Sequence, residues 1–231
     1  MTNKSNSFIE NKTQLIQYFK DGIKKDTDLR IGVEHEKFLF NKKDLKRIDH
    51  KKIKKVFELL QNNGWELQYE KDKIIGLKRK NQKITTEPGF QYELSGAPFK
   101  NIHLVCSENS SHFNELKEVF SSASITTSSI AYDPFNKLIE IPKSPKERYK
   151  IMTSEMPKGG KLSLDMMYKT AGIQINYDYT SEEDFEKKFK IGNYLAPLTI
   201  ALFANSPFNE NKLSGFLSYR GKVWQETNRG G

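Results

Sequence analysis

Residues Arg30-Ile-Gly-Val-Glu-His-Glu-Lys-Phe-Leu-Phe40 decide how this chain is read. They read as a strand, in which successive side chains point to opposite faces. Glu34 and Glu36 then share one face, while Ile31 and Val33 take the other. Two further stretches repeat the arrangement. Within 90–95, Gln91, Glu93 and Ser95 stand opposite Phe90, Tyr92 and Leu94. Within 170–179, Gln174, Asn176 and Asp178 stand opposite Ile173, Ile175 and Tyr177. For any one strand, a solvated polar face over an apolar core face explains the pattern. Together the polar faces hold Glu, Gln, Asn and Asp in a chain whose surface is otherwise rich in lysine. Oxygen ligands converging on Mg²⁺ would be one reason for that choice.

The carboxylates need such a purpose. Glu34, Glu36, Glu87 and Glu93 would repel one another if left unpaired in a cleft, and a divalent cation removes the repulsion. Mg²⁺ prefers oxygen, keeps waters and bridges carboxylates to substrate phosphates, so a nucleotide is expected beside it. No Walker motif is present, and Lys158-Gly159-Gly160 is weak as a phosphate loop. Ser144-Pro145-Lys146-Glu147 reads as a capping box with proline at the first helical position, which puts Arg148 in a first turn. Arg220 ends a predicted strand at 216–220. Both arginines are candidates to grip a carboxylate, and the ordinary alternative is a surface ion pair. His35 falls opposite the two glutamates, and His50, His103 and His112 form no close cluster. Cys106 reads as a small hydrophobe on a helix face.

The remaining punctuation completes the element order. A helix is predicted over 8–20. A second spans 49–63, capped by Asp49 and burying Ile53, Val56, Phe57 and Leu60, with Lys51, Lys52, Lys54 and Lys55 solvated. Strands follow at 65–70, 73–79 and 83–95, the last bent or bulged at Pro88-Gly89. A helix over 101–121 turns Ile102, Val105, Cys106, Phe113, Leu116 and Phe120 inward, and a strand covers 124–132. Ser181 opens a long helix to about 203, with Phe185, Phe189, Leu195, Leu202 and Phe203 on its core side and a kink at Pro197. No βαβ rhythm appears, so the class is α+β with a largely antiparallel sheet.

Composition bounds the function. The chain has 231 residues and a formal net charge of +9, enough length for one large domain with its own core. Fifteen Phe and ten Tyr argue against disorder. No apolar run reaches the ~20 residues that span a bilayer, so no membrane is expected. The N-terminal residues 1–10 are polar and show no secretory signal, which leaves a cytoplasmic protein as the expectation. A single cysteine excludes an internal disulfide. The excess charge is 32 Lys against six Arg. Arginine makes the bidentate contacts to phosphate and guanine, so nucleic acid is not expected as a partner. A basic nucleic-acid-binding module stays as the alternative from another class.

Several motifs carry a family resemblance. Ile31-Gly-Val-Glu-His-Glu-Lys-Phe38, Glu87-Pro-Gly-Phe-Gln-Tyr-Glu-Leu-Ser-Gly-Ala-Pro98, Arg148-Tyr-Lys-Ile-Met152, Met156-Pro-Lys158, Leu164-Asp-Met-Met167, Gln174-Ile-Asn-Tyr-Asp178 and Ala204-Asn-Ser-Pro-Phe208 resemble glutamate–cysteine ligase of the plant and alphaproteobacterial type. They run in family order across nearly the whole chain. The resemblance implies ATP-dependent joining of the L-glutamate γ-carboxylate to the L-cysteine amine through γ-glutamyl phosphate, the first step of glutathione biosynthesis. It implies a glutamine synthetase-like funnel, a curved antiparallel sheet flanked by helices. It implies Glu34, Glu36, Glu87 and Glu93 as Mg²⁺ ligands, and Gln174 and Asn176 on the strand facing metal and ATP. Arg148 and Arg220 would hold the glutamate α-carboxylate or neighbouring anions. A homodimer is compatible with it. Phe90 stands where the family usually has a second glycine, and Gln225 where threonine is commoner. Family members are usually close to twice as long. The expectation is therefore a single catalytic domain over 1–231, truncated at the C-terminus, with an inactive fragment or a related carboxylate–amine ligase as alternatives.

Overall fold

The computed structural model describes residues 8–227. In chain order the elements are α1 (Lys12–Lys20), β1 (Ile31–Asn41), α2 (His50–Gln61), β2 (Glu66–Glu70), β3 (Lys73–Arg79), β4 (Gln82–Thr86), β5 (Tyr92–Ser95), α3 (Ile102–Ser122) and β6 (Ile125–Ser128). Then come α4 (Glu147–Glu155), α5 (Ser163–Lys169), β7 (Ile173–Tyr177), α6 (Glu182–Leu202), β8 (Phe208–Asn209), β9 (Lys212–Leu213) and α7 (Tyr219–Gln225). Among the described residues the main sheet has seven strands in the order β2-β3-β4-β5-β1-β6, with β7 also on β1. Every ladder in it is antiparallel. The sheet is open, and the class is α+β as the sequence predicts. The ending Asn228-Arg229-Gly230-Gly231 lies outside the described residues.

β1 organises the molecule. One edge pairs with β5, and the other pairs first with β7 and then with β6. Leu39 points to one face and joins Leu77, Ile84, Tyr92 and Leu94 from neighbouring strands. Ile53, Val56, Phe57 and Leu60 of α2 and Leu116, Val119 and Phe120 of α3 cover this face. Each such side chain withdrawn from water contributes about 1.5–3 kcal/mol. Asp49 caps α2, its carboxylate accepting from Lys52 N at 3.0 Å. On the opposite face of β1, Phe38 and Phe40 pack with Ala171 and Phe135. Glu34 and Glu36 precede them on that same face. One strand therefore carries acids and then a second small core along a single side.

Several expectations change. The strand predicted over 83–95 is two strands joined by the Pro88-Gly89 turn. The strand predicted over 124–132 ends at Ser128. In α3 the buried set is Val105, His112, Leu116, Val119 and Phe120, while Ile102, Cys106 and Phe113 are exposed. His112 takes a core position because its polar atoms are paired, with Tyr92 Oη at 3.1 Å and Glu115 at 3.2 Å. Burial holds its pKa down at about 4.

Ser144 does not cap α4. Its N–H donates to Pro88 O at 2.8 Å, its Oγ meets Thr86 Oγ at 3.4 Å, and the helix begins at Glu147. The predicted strand at 216–220 is replaced by the start of α7, because Ser218 Oγ accepts from Gly221 N at 3.2 Å as an N-cap. Ser181 caps α6 as expected, and the helix runs through Pro197. No residue of α6 is buried, however, so Phe185, Phe189, Leu195, Leu202 and Phe203 have no core side among the described residues.

Candidate functional site

The antiparallel register assembles the acidic face. Glu36 lies opposite Glu93, and Glu34 opposite Ser95, across β1 and β5. On the other edge Glu34 lies opposite Gln174, and Gly32 opposite Asn176. Gln174 Nε2 donates to Glu36 Oε1 at 3.3 Å, and Asn176 Nδ2 donates to Glu34 Oε1 at 3.3 Å. Gly172 N donates to Glu36 Oε2 at 2.8 Å, and Ser95 Oγ donates to Glu93 Oε1 at 2.7 Å. Thus β7, β1 and β5 bring Gln174, Asn176, Glu34, Glu36 and Glu93 to one open surface.

Glu87 joins from the turn between β4 and β5. Phe90 N donates to Glu87 O at 2.9 Å and Glu87 N to Gln91 O at 2.9 Å, which closes the turn. Phe90 adopts φ +57°, the left-handed region that a glycine enters freely, and its ring is buried. Tyr149 Oη donates to Glu87 Oε1 at 3.2 Å and accepts from Arg148 Nη2 at 2.7 Å. Arg148 Nη2 itself lies 3.8 Å from Glu87 Oε1. A cleft of ≈ 430 Å³ opens here, lined by Glu70, Thr85, Glu87, Glu93, Lys146 and Arg148.

Arg220 approaches from the other flank, from the first turn of α7. Its Nη2 would lie 3.2 Å from a Cβ on Gly172, so the guanidinium rests on the backbone that holds Glu36. Its Nε is buried without a hydrogen-bond partner among the described residues, and its guanidinium carbon sits 5.5 Å from the Trp224 ring centre. The acidic row is therefore bracketed by two arginines.

The electrostatics follow. Burial lifts the Glu36 carboxyl to about pKa 7; the Gly172 N–H bond opposes the rise, Glu87 and Glu93 add to it, and Arg220 opposes it. Glu87 is raised by burial and Glu93, against Lys146 and Arg148. Among the described residues no three His, Cys, Asp or Glu side chains stand close enough to hold one ion between them. The donor set is nonetheless all oxygen, and two of its carboxyls resist ionising without added positive charge. That chemistry fits a hydrated divalent cation such as Mg²⁺, which keeps part of its water shell.

Not every polar side chain predicted for this face lies on it. Gln91 is buried and bonds to Gly89 N, Met167 O and Thr170 O. Asp178 is taken up by Lys24 Nζ at 2.6 Å and Arg30 N at 2.9 Å. His35 faces away from Glu34 and Glu36 as expected, and burial with nearby Lys37 holds it at a pKa of about 4. Sequence reasoning missed Tyr149 and Lys146, which tertiary packing brings to Glu87 without any spacing signal. Lys146 Nζ donates to Thr86 O at 2.8 Å.

The family model for Glutamate-cysteine ligase family 2 matches residues 30–231. The chain is 42% identical over 223 residues to "Glutamate--cysteine ligase A, chloroplastic" of Oryza sativa subsp. japonica, covering 95% of this chain and 45% of that protein. It is 43% identical over 219 residues to the chloroplastic glutamate–cysteine ligase of Arabidopsis thaliana, covering 94% and 42%. The Nicotiana tabacum protein of the same name is 43% identical over 223 residues, with 95% and 43% covered. The chain thus spans under half the length of these curated relatives. The matched region opens at the strand bearing Glu34 and Glu36 and contains both arginines that bracket them, and on this match the chain belongs to Glutamate-cysteine ligase family 2.

Proposed function

We propose that this chain carries the metal and glutamate portion of an ATP-dependent ligase that joins the L-glutamate γ-carboxylate to the L-cysteine amine, the first step of glutathione synthesis. The observation that carries the reading is the acidic row of Glu34, Glu36, Glu93 and Glu87 bracketed by Arg148 and Arg220. Glutamate presents two carboxylates, one to be held and one to react. Arg148 is largely exposed and free to turn from Tyr149 toward an incoming carboxylate. Arg220 lies beside Glu36 and would meet a second anionic group. Neighbouring carboxylates among Glu34, Glu36, Glu87 and Glu93, with water completing the shell, would hold Mg²⁺, which supplies neutralisation of triphosphate charge. Gln174 and Asn176, oriented by Glu36 and Glu34, would meet the nucleotide.

In the reaction a γ-carboxylate oxygen attacks the γ-phosphorus of ATP, and ADP leaves. The cysteine amine attacks the resulting acyl phosphate, phosphate departs, and the nitrogen loses its proton. Cysteine enters as substrate, so Cys106, exposed on α3, takes no part. ADP release that requires glutamate, cysteine and Mg²⁺ together supports the reading. Release with a different amine redirects it to a related carboxylate–amine ligase. A second reading, binding without turnover by this chain alone, is favoured by the unburied α6. Saturable glutamate binding with no ADP release would decide for it. Salt-sensitive binding to DNA or RNA without ADP release would instead point to a basic nucleic-acid-binding module.

A further inference from the structure

We infer that Gln91 is a positioning residue whose buried side-chain amide ties the turn presenting Glu87 to the segment that holds Glu36, and so fixes the separation of the two carboxylates. The inference rests on the metal reading above for its functional meaning. Gln91 is 2% exposed, beneath the acidic face. Its Oε1 accepts from Gly89 N at 2.8 Å, two residues beyond Glu87. Its Nε2 donates to Met167 O at 3.2 Å and Thr170 O at 2.9 Å, at the end of α5. Two residues beyond Thr170, Gly172 N donates to Glu36 Oε2. One amide therefore links both carboxylate supports through short backbone paths.

Both polar atoms of the amide are bonded, and in one orientation only. A flipped amide would face an N–H with NH₂ and two carbonyls with oxygen, leaving every contact repulsive. A glutamate there could still accept from Gly89 N, but an ionised one could not donate to the two carbonyls. Those carbonyls are helix-terminal acceptors without intrahelical partners, so the bonds also satisfy the end of α5. The fit is close, because a Cβ on Gly89 would lie 2.6 Å from Tyr168 O. Arg47 reinforces the joint, its guanidinium donating to Gly89 O and to Tyr168 O. A residue needed only for volume would not have to match three hydrogen bonds.

The test uses the full chain, amide hydrogen exchange, and Mn²⁺ uptake read by the free-ion electron paramagnetic resonance signal. Gln91→Met keeps volume and removes the hydrogen bonds. It is expected to speed exchange roughly tenfold in both 87–91 and 167–172, with β1 and α2 unchanged. It is also expected to weaken Mn²⁺ affinity roughly tenfold. Gln91→Glu at neutral pH should act in the same direction. Faster exchange confined to 87–91, or unchanged Mn²⁺ affinity, overturns the inference. A wild-type measurement keeps it open to refutation even where the variants fail to fold. In dilute urea the two segments should open with one free energy and one urea dependence, and separate openings overturn the coupling. Wild-type protein that takes up no Mn²⁺ overturns the metal reading and the positional role with it, while exchange still decides whether Gln91 joins the segments.

Discussion

Glu36 meets burial, two neighbouring carboxylates and one arginine at a single oxygen pair. In metal-free protein its carboxyl keeps a proton up to about pH 7, whereas in the unfolded chain it ionises near 4.5. Between those values the folded state binds more protons, so stability falls as pH rises through the window and stays lower above it. Glu36→Gln should remove that slope. The variant is expected to exceed the wild type at pH 8 by up to about 3 kcal/mol in urea titrations with a chelator present. Equal stability at pH 8 would contradict the burial argument. The same variant should lose Mn²⁺ uptake and any turnover, because a neutral amide replaces a ligand carboxylate. Arg148→Ala should act on a different quantity. Its side chain is 65% exposed, so stability should barely move, while the glutamate KM should rise far more than the ATP KM. Equal rises in both would show that Arg148 does not discriminate glutamate.

At the level of elements, buried polar ties hold the site's supports in place. Arg47 and Asp133 form an ion pair at 3.2 Å with both side chains wholly buried. Asp133 also accepts from Phe135 N and Asn136 N, and Arg47 reaches the 87–91 turn and the end of α5. Asp133→Asn is expected to cost about 3–5 kcal/mol by thermal or urea unfolding, since it leaves the guanidinium charge buried without its partner. Asp49→Ala, which removes only the α2 cap, should cost about 1 kcal/mol. These elements also show where sequence patterns suffice. β1, α2 and the break at Pro88-Gly89 were legible because alternation, a single apolar stripe and proline geometry act within a few residues. Arg220 reads as a strand end from sequence because 216–220 is too short to separate the two periodicities, and the Ser218 cap that starts α7 emerges only in the fold. Ser144 had the right neighbours for a cap and was claimed by Pro88 O and Thr86 instead. Gln91 fitted the alternation of a polar face, yet the 87–91 turn directs it inward. The acidic row was legible from residue type and spacing, whereas Tyr149 and Lys146 reach Glu87 only through the folded path of the chain.

Across the whole molecule, apolar surface is divided unequally. The layer beneath the sheet is sealed by α2 and α3, whereas α6 and β7 leave Phe189, Tyr194, Phe203, Ile173 and Tyr177 exposed. Mutational cost should follow that division. Phe57→Ala is expected to cost about 3–5 kcal/mol, because it opens a cavity in a closed core. Phe189→Ser should change unfolding free energy by no more than about 0.5 kcal/mol. A large loss for Phe189→Ser would mean that the chain buries this face in solution. The dual use of β1 has a further consequence, one of inheritance. Its acids and the aromatic pair Phe38 and Phe40 keep step along one side, so deleting a single codon between Glu36 and Phe38 would turn both aromatics to the opposite side. Substitutions that keep the alternation leave this arrangement intact, whereas a net change of one residue unseats the small core unless a β-bulge restores the register. The chemistry of the site and the hydrophobic anchor beside it are thus tied to one another by the register of a single strand.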